Sequence, residues 1–132
     1  MFCLDTNVVI YAINRRRPRI VERLIAEIEA RTPMFVPSVV LFELQYGVAK
    51  SQRPAQARAL LEEFLSAGFE TPAFDAEDAC VAGEVRAYLE ARGAPIDTLI
   101  AAQARRRGAA LVTGNRREFE RVPGLIVTDW DA

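Results

Sequence analysis

The sequence predicts an α/β fold in which a central, mostly parallel sheet of about five short strands is flanked by helices in a three-layer arrangement. Short, fully apolar runs alternate along the chain with amphipathic segments of helical periodicity. The chain has 132 residues, 51% of them hydrophobic and 27% charged, which suits one globular domain spanning 1–132. No repeat, linker or low-complexity segment interrupts the alternation.

Residues with known local preferences mark the ends of the predicted elements. Asp5 follows the first apolar run and can cap the first helix, Pro18 opens the second helix, and Ser38 can cap the third. Asp75 can cap a later helix, and Gly108 ends the Ala-rich helix before the next strand. The predicted strands are 2–4, 34–36, 69–74, 109–112 and 125–127. The predicted helices are 8–12, 18–28, 39–48, 54–67, 76–91, 98–107 and 116–120.

The composition excludes several classes of protein. No apolar run approaches the ~20 residues that a membrane helix needs, and the N-terminus lacks the basic start and the cleavage site of a signal peptide. We therefore expect a cytoplasmic protein with no membrane partner. Cys3 and Cys80 lie among apolar neighbours, so we expect buried free thiols and no disulfide. Because the sequence has no histidine, these cysteines do not form a zinc site of the usual kind.

The basic residues are clustered although the net charge is only −1. All but one of the 17 basic residues are arginines, and they bunch at 15–19, at 105–107, and at 116–117 with Arg121. Arginine is suited to bidentate contacts with phosphate, but positive charge also favours helix C-termini. Each cluster is therefore either a phosphate-binding site or a solvated helix end.

Three acids lie where the chain is expected to pack its core. Asp5 lies in Cys-Leu-Asp-Thr-Asn, Glu43 in Val-Leu-Phe-Glu-Leu, and Asp97 in Pro-Ile-Asp-Thr-Leu. The other acids, as in Glu62-Glu63 and Glu77-Asp78, lie in mixed polar sequence and are expected to be exposed. A carboxylate in an apolar setting is costly unless it is paired or bound to a metal.

The positions of these three acids favour a shared metal site. Asp5 follows the first strand, and the carboxyl ends of parallel strands are where open α/β sheets bind ligands. Asp5 and Asp97 are also explained as N-caps, but Glu43 lies within a helix on an apolar face. Bringing several carboxylates together raises their pKa values unless a cation occupies the centre.

The chemistry open to such a site is hydrolysis with a hard cation. Without histidine there is no Ser-His-Asp or Cys-His arrangement, and metal-free RNA cleavage lacks its usual acid and base. Oxygen ligands indicate Mg²⁺ or Mn²⁺, which activates water for attack on a phosphodiester and leaves 5′-phosphate and 3′-hydroxyl ends. A phosphatase with Asp-x-Asp after the first strand is the main rival, but Asp5-Thr6-Asn7 lacks the second acid. Neither G-x-G-x-x-G nor a Walker A sequence is present.

These segments resemble the three acidic motifs of PIN domains. The motifs are Leu-Asp-Thr-Asn at 4–7, Pro-Ser-Val-Val-Leu-Phe-Glu-Leu-Gln-Tyr-Gly at 37–47, and Ile-Asp-Thr-Leu-Ile-Ala-Ala at 96–102. The tail Leu-Val-Thr-Gly-Asn-Arg-Arg-Glu-Phe at 111–119, with Asp129-Trp130, resembles the VapC/FitB-type branch of type II toxins. The similarity covers essentially the whole chain, with the motifs in order.

The resemblance implies a PIN-like fold and a Mg²⁺-dependent endoribonuclease toxin, encoded beside a VapB-like antitoxin and assembling as a homodimer. Asp5 and Asp97 then correspond to direct metal ligands, and Glu43 to a ligand that binds directly or through water. Thr6 and Asn7 correspond to residues that orient Asp5 or contact substrate.

The tail departs from the pattern of many PIN domains. Those carry a fourth acid after the fourth strand, following Thr113, where this chain has Asn115. Glu118 is near enough in sequence to replace that acid, but an exposed acid in the first turn of a helix explains it equally well. The missing acid leaves open a noncatalytic RNA-binding or regulatory module, and a small-molecule phosphatase remains the third reading.

Overall fold

The computed structural model describes residues 1–93 and 98–132. Its strands are Phe2–Leu4 (β1), Met34–Phe35 (β2), Ala110–Val112 (β3) and Ile126–Thr128 (β4). In the part of the chain that is described, these strands form a parallel sheet of order β2-β1-β3-β4. The register aligns Leu4 with Val112, and Val112 with Thr128, so β1, β3 and β4 end at the same edge. The predicted α/β class with a parallel sheet is confirmed.

Helices join the strands and flank the sheet. They are Thr6–Asn14 (α1), Pro18–Glu29 (α2), Ser38–Ala49 (α3), Pro54–Leu65 (α4), Ala76–Glu90 (α5), Thr98–Arg106 (α6) and Arg116–Phe119 (α7). Asp5 caps α1 and Pro18 lies in the first turn of α2, as predicted. Asp75 caps α5 in a reciprocal capping box with Asp78. The predicted cap at Ser38 is wrong: Ser38 is already helical, and its hydroxyl accepts a hydrogen bond from the Phe74 amide at 3.0 Å.

The strand predicted at 69–74 is also wrong over most of its length. Only Glu70 pairs with the sheet, through one parallel bridge to Phe35, and its carbonyl accepts from the Val36 amide at 2.9 Å. Pro72 has no amide hydrogen with which to continue a ladder. Its carbonyl accepts instead from the Ser38 amide and from the Gln103 side chain, both at 3.0 Å. The segment therefore links the start of α3 to the middle of α6.

Apolar side chains from the strands and the facing helices form the core. The largest that are fully buried include Leu4, Val36, Leu89, Ile100 and Leu111. Cys3 is buried among them as predicted, and burial, followed by the charge of Asp5, raises the pKa of its thiol. The prediction for Cys80 is wrong, because this thiol lies on the exposed side of α5. Every helix within 1–93 and 98–132 is too short or too polar to span a bilayer.

An ion-pair cluster joins the start of α5 to the end of α6. Asp78 was expected to be exposed from its polar neighbours, but it is 0% exposed. Its carboxylate accepts hydrogen bonds from the Asp75 amide at 2.9 Å, from Arg106 Nη1 at 3.1 Å and from Arg107 Nη1 at 2.9 Å. Burial alone would raise the pKa of Asp78, but the Arg107 and Asp75 hydrogen bonds and the two guanidinium charges outweigh it and lower that pKa.

Candidate active site

The ends of β1 and β3 place two polar side chains next to each other at the carboxyl edge of the sheet. Asp5 follows β1, and its amide donates to the Val112 carbonyl at 3.1 Å. Thr113 follows β3, and its amide donates to the Thr128 carbonyl at 3.0 Å. The Thr113 hydroxyl donates to Asp5 Oδ2 at 2.7 Å, and both side chains are buried. Continued parallel pairing beyond the strand ends is what fixes this contact.

Thr6 connects the first acid to the second. Its amide donates to Asp5 Oδ1 at 2.8 Å, and its hydroxyl donates to Glu43 Oε2. Glu43 lies within α3, half-buried, so the same residue that begins α1 holds a carboxylate of another helix. The structure therefore brings Asp5 and Glu43 together through one threonine. The interpretation of Asp5 as an N-cap is also correct, since its Oδ1 accepts from the first amide of α1.

Thr113 uses its hydroxyl in two directions. The Asn115 amide donates to Thr113 Oγ1 at 3.0 Å, and that hydroxyl donates in turn to Asp5. The loop after β3 is thus tied to Asp5 by two consecutive hydrogen bonds, which orient the carboxylate. Sequence reasoning identified Thr113 only through the resemblance of its loop. A threonine directly after a buried strand was the local signal available.

The remaining sequence-predicted residues are more peripheral, or are not described. Asn7 is exposed in the first turn of α1, Asn115 is exposed before α7, and Glu118 is exposed within α7. Asp97 lies outside the described residues; the first described residue after it, Thr98, is buried at the start of α6. Within 1–93 and 98–132, no group of three acids or cysteines could hold a metal ion. The predicted three-acid cluster depends on Asp97 and stays a prediction.

The carboxylate oxygens at this edge of the sheet suit a divalent cation that prefers oxygen ligands. Asp5 and Glu43 supply carboxylate oxygens, which together with water are the usual ligands of Mg²⁺ and Mn²⁺. Asp5 is only 7% exposed, and Thr6 contacts both its carboxylate and that of Glu43. A bound cation stabilises two carboxylates held together in this way. The hydrogen bonds from Thr6 and Thr113 hold Asp5 in one orientation, as outer contacts of metal ligands do.

Comparison with known proteins establishes the family. The model of the PIN domain matches residues 2–125, and the chain belongs to the PIN domain family. The tRNA(fMet)-specific endonuclease VapC of Shigella flexneri is 41% identical over 132 residues, which cover 98% of this chain and 97% of that protein. Ribonuclease VapC2 of Rickettsia felis is 41% identical over 135 residues, covering 99% of this chain and 98% of that protein.

Solved structures agree with this assignment. VapBC2 from Rickettsia felis, bound to a DNA fragment from its promoter, contains a chain that superimposes with a TM-score of 0.91 at 39% identity, covering 98% of both chains. In DNA-bound VapBC from Salmonella typhimurium, the TM-score is 0.88 at 39% identity, covering 98% of this chain and 97% of that chain. The predicted resemblance to PIN domains of the VapC type is confirmed.

Proposed function

We propose that this chain is a Mg²⁺-dependent endoribonuclease and the toxin of a toxin–antitoxin pair. The observation that carries the proposal is the contact of Asp5 and Glu43 through Thr6 at the carboxyl edge of a PIN fold. Relatives about 40% identical over nearly the whole chain are named VapC ribonucleases, and the similar solved structures are VapBC complexes. Fold alone would not support a function, but the family and the residues agree.

Three acids would hold the metal in this proposal. Asp5 and Asp97 are assigned as direct ligands, and Glu43 as a ligand that binds directly or through water. When bound, Mg²⁺, or Mn²⁺ in its place, supplies activation of water and neutralisation of charge at the phosphodiester. The carboxylate oxygens of Asp5 and Glu43 are of the type this cation prefers, which supports the assignment.

The surrounding polar residues position the acids and the RNA. Thr113 orients Asp5, and Thr6 orients both Asp5 and Glu43, so that neither carboxylate has to reorganise when substrate arrives. Asn7 and Asn115 are exposed at the same edge and are assigned as substrate or outer metal contacts, with Glu118 as the alternative to the missing fourth acid. Attack by water, and not by the 2′-hydroxyl, breaks the bond to the 3′ oxygen. The products carry 5′-phosphate and 3′-hydroxyl ends.

The partners follow from the same relatives. A VapB-like antitoxin is proposed as the inhibitory partner, because the similar structures are VapBC complexes. We further propose that the chain is a single PIN-like domain over 1–132, that it forms a homodimer and that it acts in the cytoplasm. Since one relative is named for tRNA(fMet), that tRNA is the first substrate to test.

A cleavage assay tests this proposal. Purified protein is incubated with tRNA(fMet), and with an elongator tRNA, in Mg²⁺ or in EDTA. The proposal predicts discrete fragments in Mg²⁺, none in EDTA, and restoration by excess Mg²⁺. Cleavage that persists in EDTA would exclude the metal mechanism.

Two further readouts, RNA binding in EDTA and phosphate release from a small ester, distinguish the two alternatives. Asn115, in place of the fourth acid of many PIN domains, favours a noncatalytic RNA-binding module, which would bind RNA in EDTA and give no fragments at any metal concentration. A phosphatase would release phosphate from a small ester and leave the tRNA intact.

A further inference from the structure

Resting on the proposed ribonuclease function, we propose that Arg117, assisted by Arg116, binds the RNA phosphate backbone beside the acidic site. In the denser cluster at 105–107, Arg106 and Arg107 instead form ion pairs within the fold. The sequence alone did not separate these roles. The side-chain partners of each cluster separate them.

The cluster at 105–107 is already occupied by protein contacts. Arg106 Nη1 lies 2.8 Å from Asp75 Oδ1 and 3.1 Å from Asp78 Oδ1, and Arg107 Nη1 lies 2.9 Å from Asp78 Oδ1. Their side chains are only 25% and 19% exposed. Arg105 packs over a turn, where its Nε lies 3.4 Å from the position that a Cβ would take at Gly124. Binding RNA with Arg106 or Arg107 would require breaking an ion pair to the buried Asp78.

The cluster at 15–19 is either occupied or displaced from the acids. Arg17 Nη1 pairs with Asp131 at 3.1 Å, and Arg19 Nη1 donates to the Ala132 carbonyl at 3.0 Å. Arg15 and Arg16 follow α1, which begins beside Asp5 and has 9 residues. At 1.5 Å of rise per residue, they lie about 14 Å from the acid along the helix axis.

The third cluster is exposed, and the loop before it is hydrogen-bonded to the site. The chain of hydrogen bonds from the Asn115 amide through Thr113 to Asp5 fixes the loop that precedes α7. Arg116 and Arg117 are the first two residues of α7, and both are exposed. Arg117 forms no ion pair with any residue of the described ranges, and Arg116 pairs only with Glu120, in a contact more than half exposed on both sides. A guanidinium is therefore available within two residues of that loop.

The guanidinium of Arg117 supplies a positive charge that offsets repulsion between the acidic site and RNA. The net charge of −1 provides no general attraction for RNA, and the carboxylates of Asp5 and Glu43 repel a phosphodiester. A cationic side chain in the helix that follows the Thr113 loop offsets that repulsion for an incoming RNA backbone. Arginine does so with a planar pair of donors that matches phosphate geometry.

Binding measurements with matched charge changes test the proposal. The affinity of fluorescently labelled tRNA(fMet) is measured in EDTA over a range of salt concentrations, with the integrity of the RNA checked on a gel. Arg117→Gln is compared with Arg31→Gln. Arg31 is exposed at the opposite edge of the sheet, just before the Pro33 carbonyl that accepts from the Phe2 amide. Arg107→Gln is the third variant, and the stability of each protein is measured by urea unfolding.

Arg117→Gln should weaken binding roughly five- to tenfold at low salt and reduce the slope of log affinity against log salt by about 0.7 to 0.9, with unchanged stability. Arg31→Gln should change neither quantity, and Arg107→Gln should lose stability while its folded fraction keeps the wild-type salt slope. Equal effects of Arg117→Gln and Arg31→Gln, or no RNA binding by the wild type, would overturn the proposal. Mg²⁺-dependent cleavage is scored separately, so the ribonuclease function can stand if this inference fails.

Discussion

Replacing Asp78 with Asn removes the charge from the most deeply buried acid of the described chain while keeping its shape. The carboxylate receives one backbone hydrogen bond, at 2.9 Å, and three arginine hydrogen bonds, at 3.1, 2.9 and 3.4 Å. Asn retains one oxygen acceptor, but it places a donor against a guanidinium and leaves Arg107 without its counter-charge. Breaking one side of a buried ion pair typically costs about 3–5 kcal/mol. Because Arg106 and Arg107 are 25% and 19% exposed, and Arg106 keeps Asp75, we expect the low end, about 3 kcal/mol.

The pH dependence of this loss has a definite sign. The pKa of Asp78 is lower in the folded protein than in the unfolded chain, so its contribution is present at pH values above its ordinary range. The contribution disappears as the pH falls through the lowered pKa. The difference between wild type and Asp78→Asn should therefore be full at neutral pH and shrink in acid.

Urea unfolding across this pH range measures both quantities. Glu90→Gln is the control, because Glu90 pairs with Arg86 on the exposed side of the same helix, with side chains 59% and 72% exposed. That change should leave the free energy of unfolding nearly unaltered. If Asp78→Asn were as stable as Glu90→Gln, or if its deficit stayed constant into acid, the assigned role of the buried ion pairs would be wrong.

Three further predictions concern the candidate site. Thr113→Val should reduce the steady-state rate of cleavage roughly tenfold or more, and Thr113→Ser should restore it, because the hydroxyl orients Asp5. Equal rates for the Val and Ser variants would contradict this role. Cleaved RNA should accept a 5′ label only after phosphatase treatment. Ends that label directly would show that the bond to the 5′ oxygen breaks instead, and 2′,3′-cyclic phosphates would show attack by the 2′-hydroxyl. Asn115→Asp should lower the Mg²⁺ concentration that gives half-maximal cleavage, since it adds an anionic oxygen. If that concentration is unchanged or higher, residue 115 does not contribute to metal binding.

Local sequence signals predicted most of the fold. The apolar runs around Cys3 and Leu111 became buried parallel strands, because a strand covered on both faces reads as a continuous apolar run. Asp5 and Asp75 capped helices as their types favour. The segment 69–74 had strand-like composition, but Pro72 cannot donate to a ladder, and only one bridge forms.

The errors arose where partners distant in sequence decide the environment. Asp78 looked like a surface acid because its neighbours are polar, yet it is buried by arginines 28 and 29 residues later. Cys80 looked buried because its neighbours are apolar, but it faces solvent on α5. No local pattern records which face of a helix a later helix will cover.

The candidate site was predictable in part, for the same reason. Asp5 and Glu43 were predicted as site residues because they are acids in apolar sequence, and the structure links them through Thr6. The contact between Thr113 and Asp5 joins residues 108 positions apart, and only the parallel register of β1 and β3 creates it. Its position could be inferred from the resemblance to PIN domains, whereas its hydrogen-bonding role required the structure.

The most direct measurement of the acidic site is the rate of RNA cleavage by Asp5→Asn in Mg²⁺, with Glu62→Gln, a change at an exposed acid of α4, as control. Asn still accepts from the Thr6 amide, and the change removes one of two neighbouring carboxylate charges, so the fold should be as stable as the wild type or more so. Thermal unfolding checks this. We expect cleavage to fall roughly a hundredfold or more in Asp5→Asn and to be unchanged in Glu62→Gln. A folded Asp5→Asn protein that cuts RNA at the wild-type rate would contradict a mechanism in which this carboxylate holds the catalytic metal.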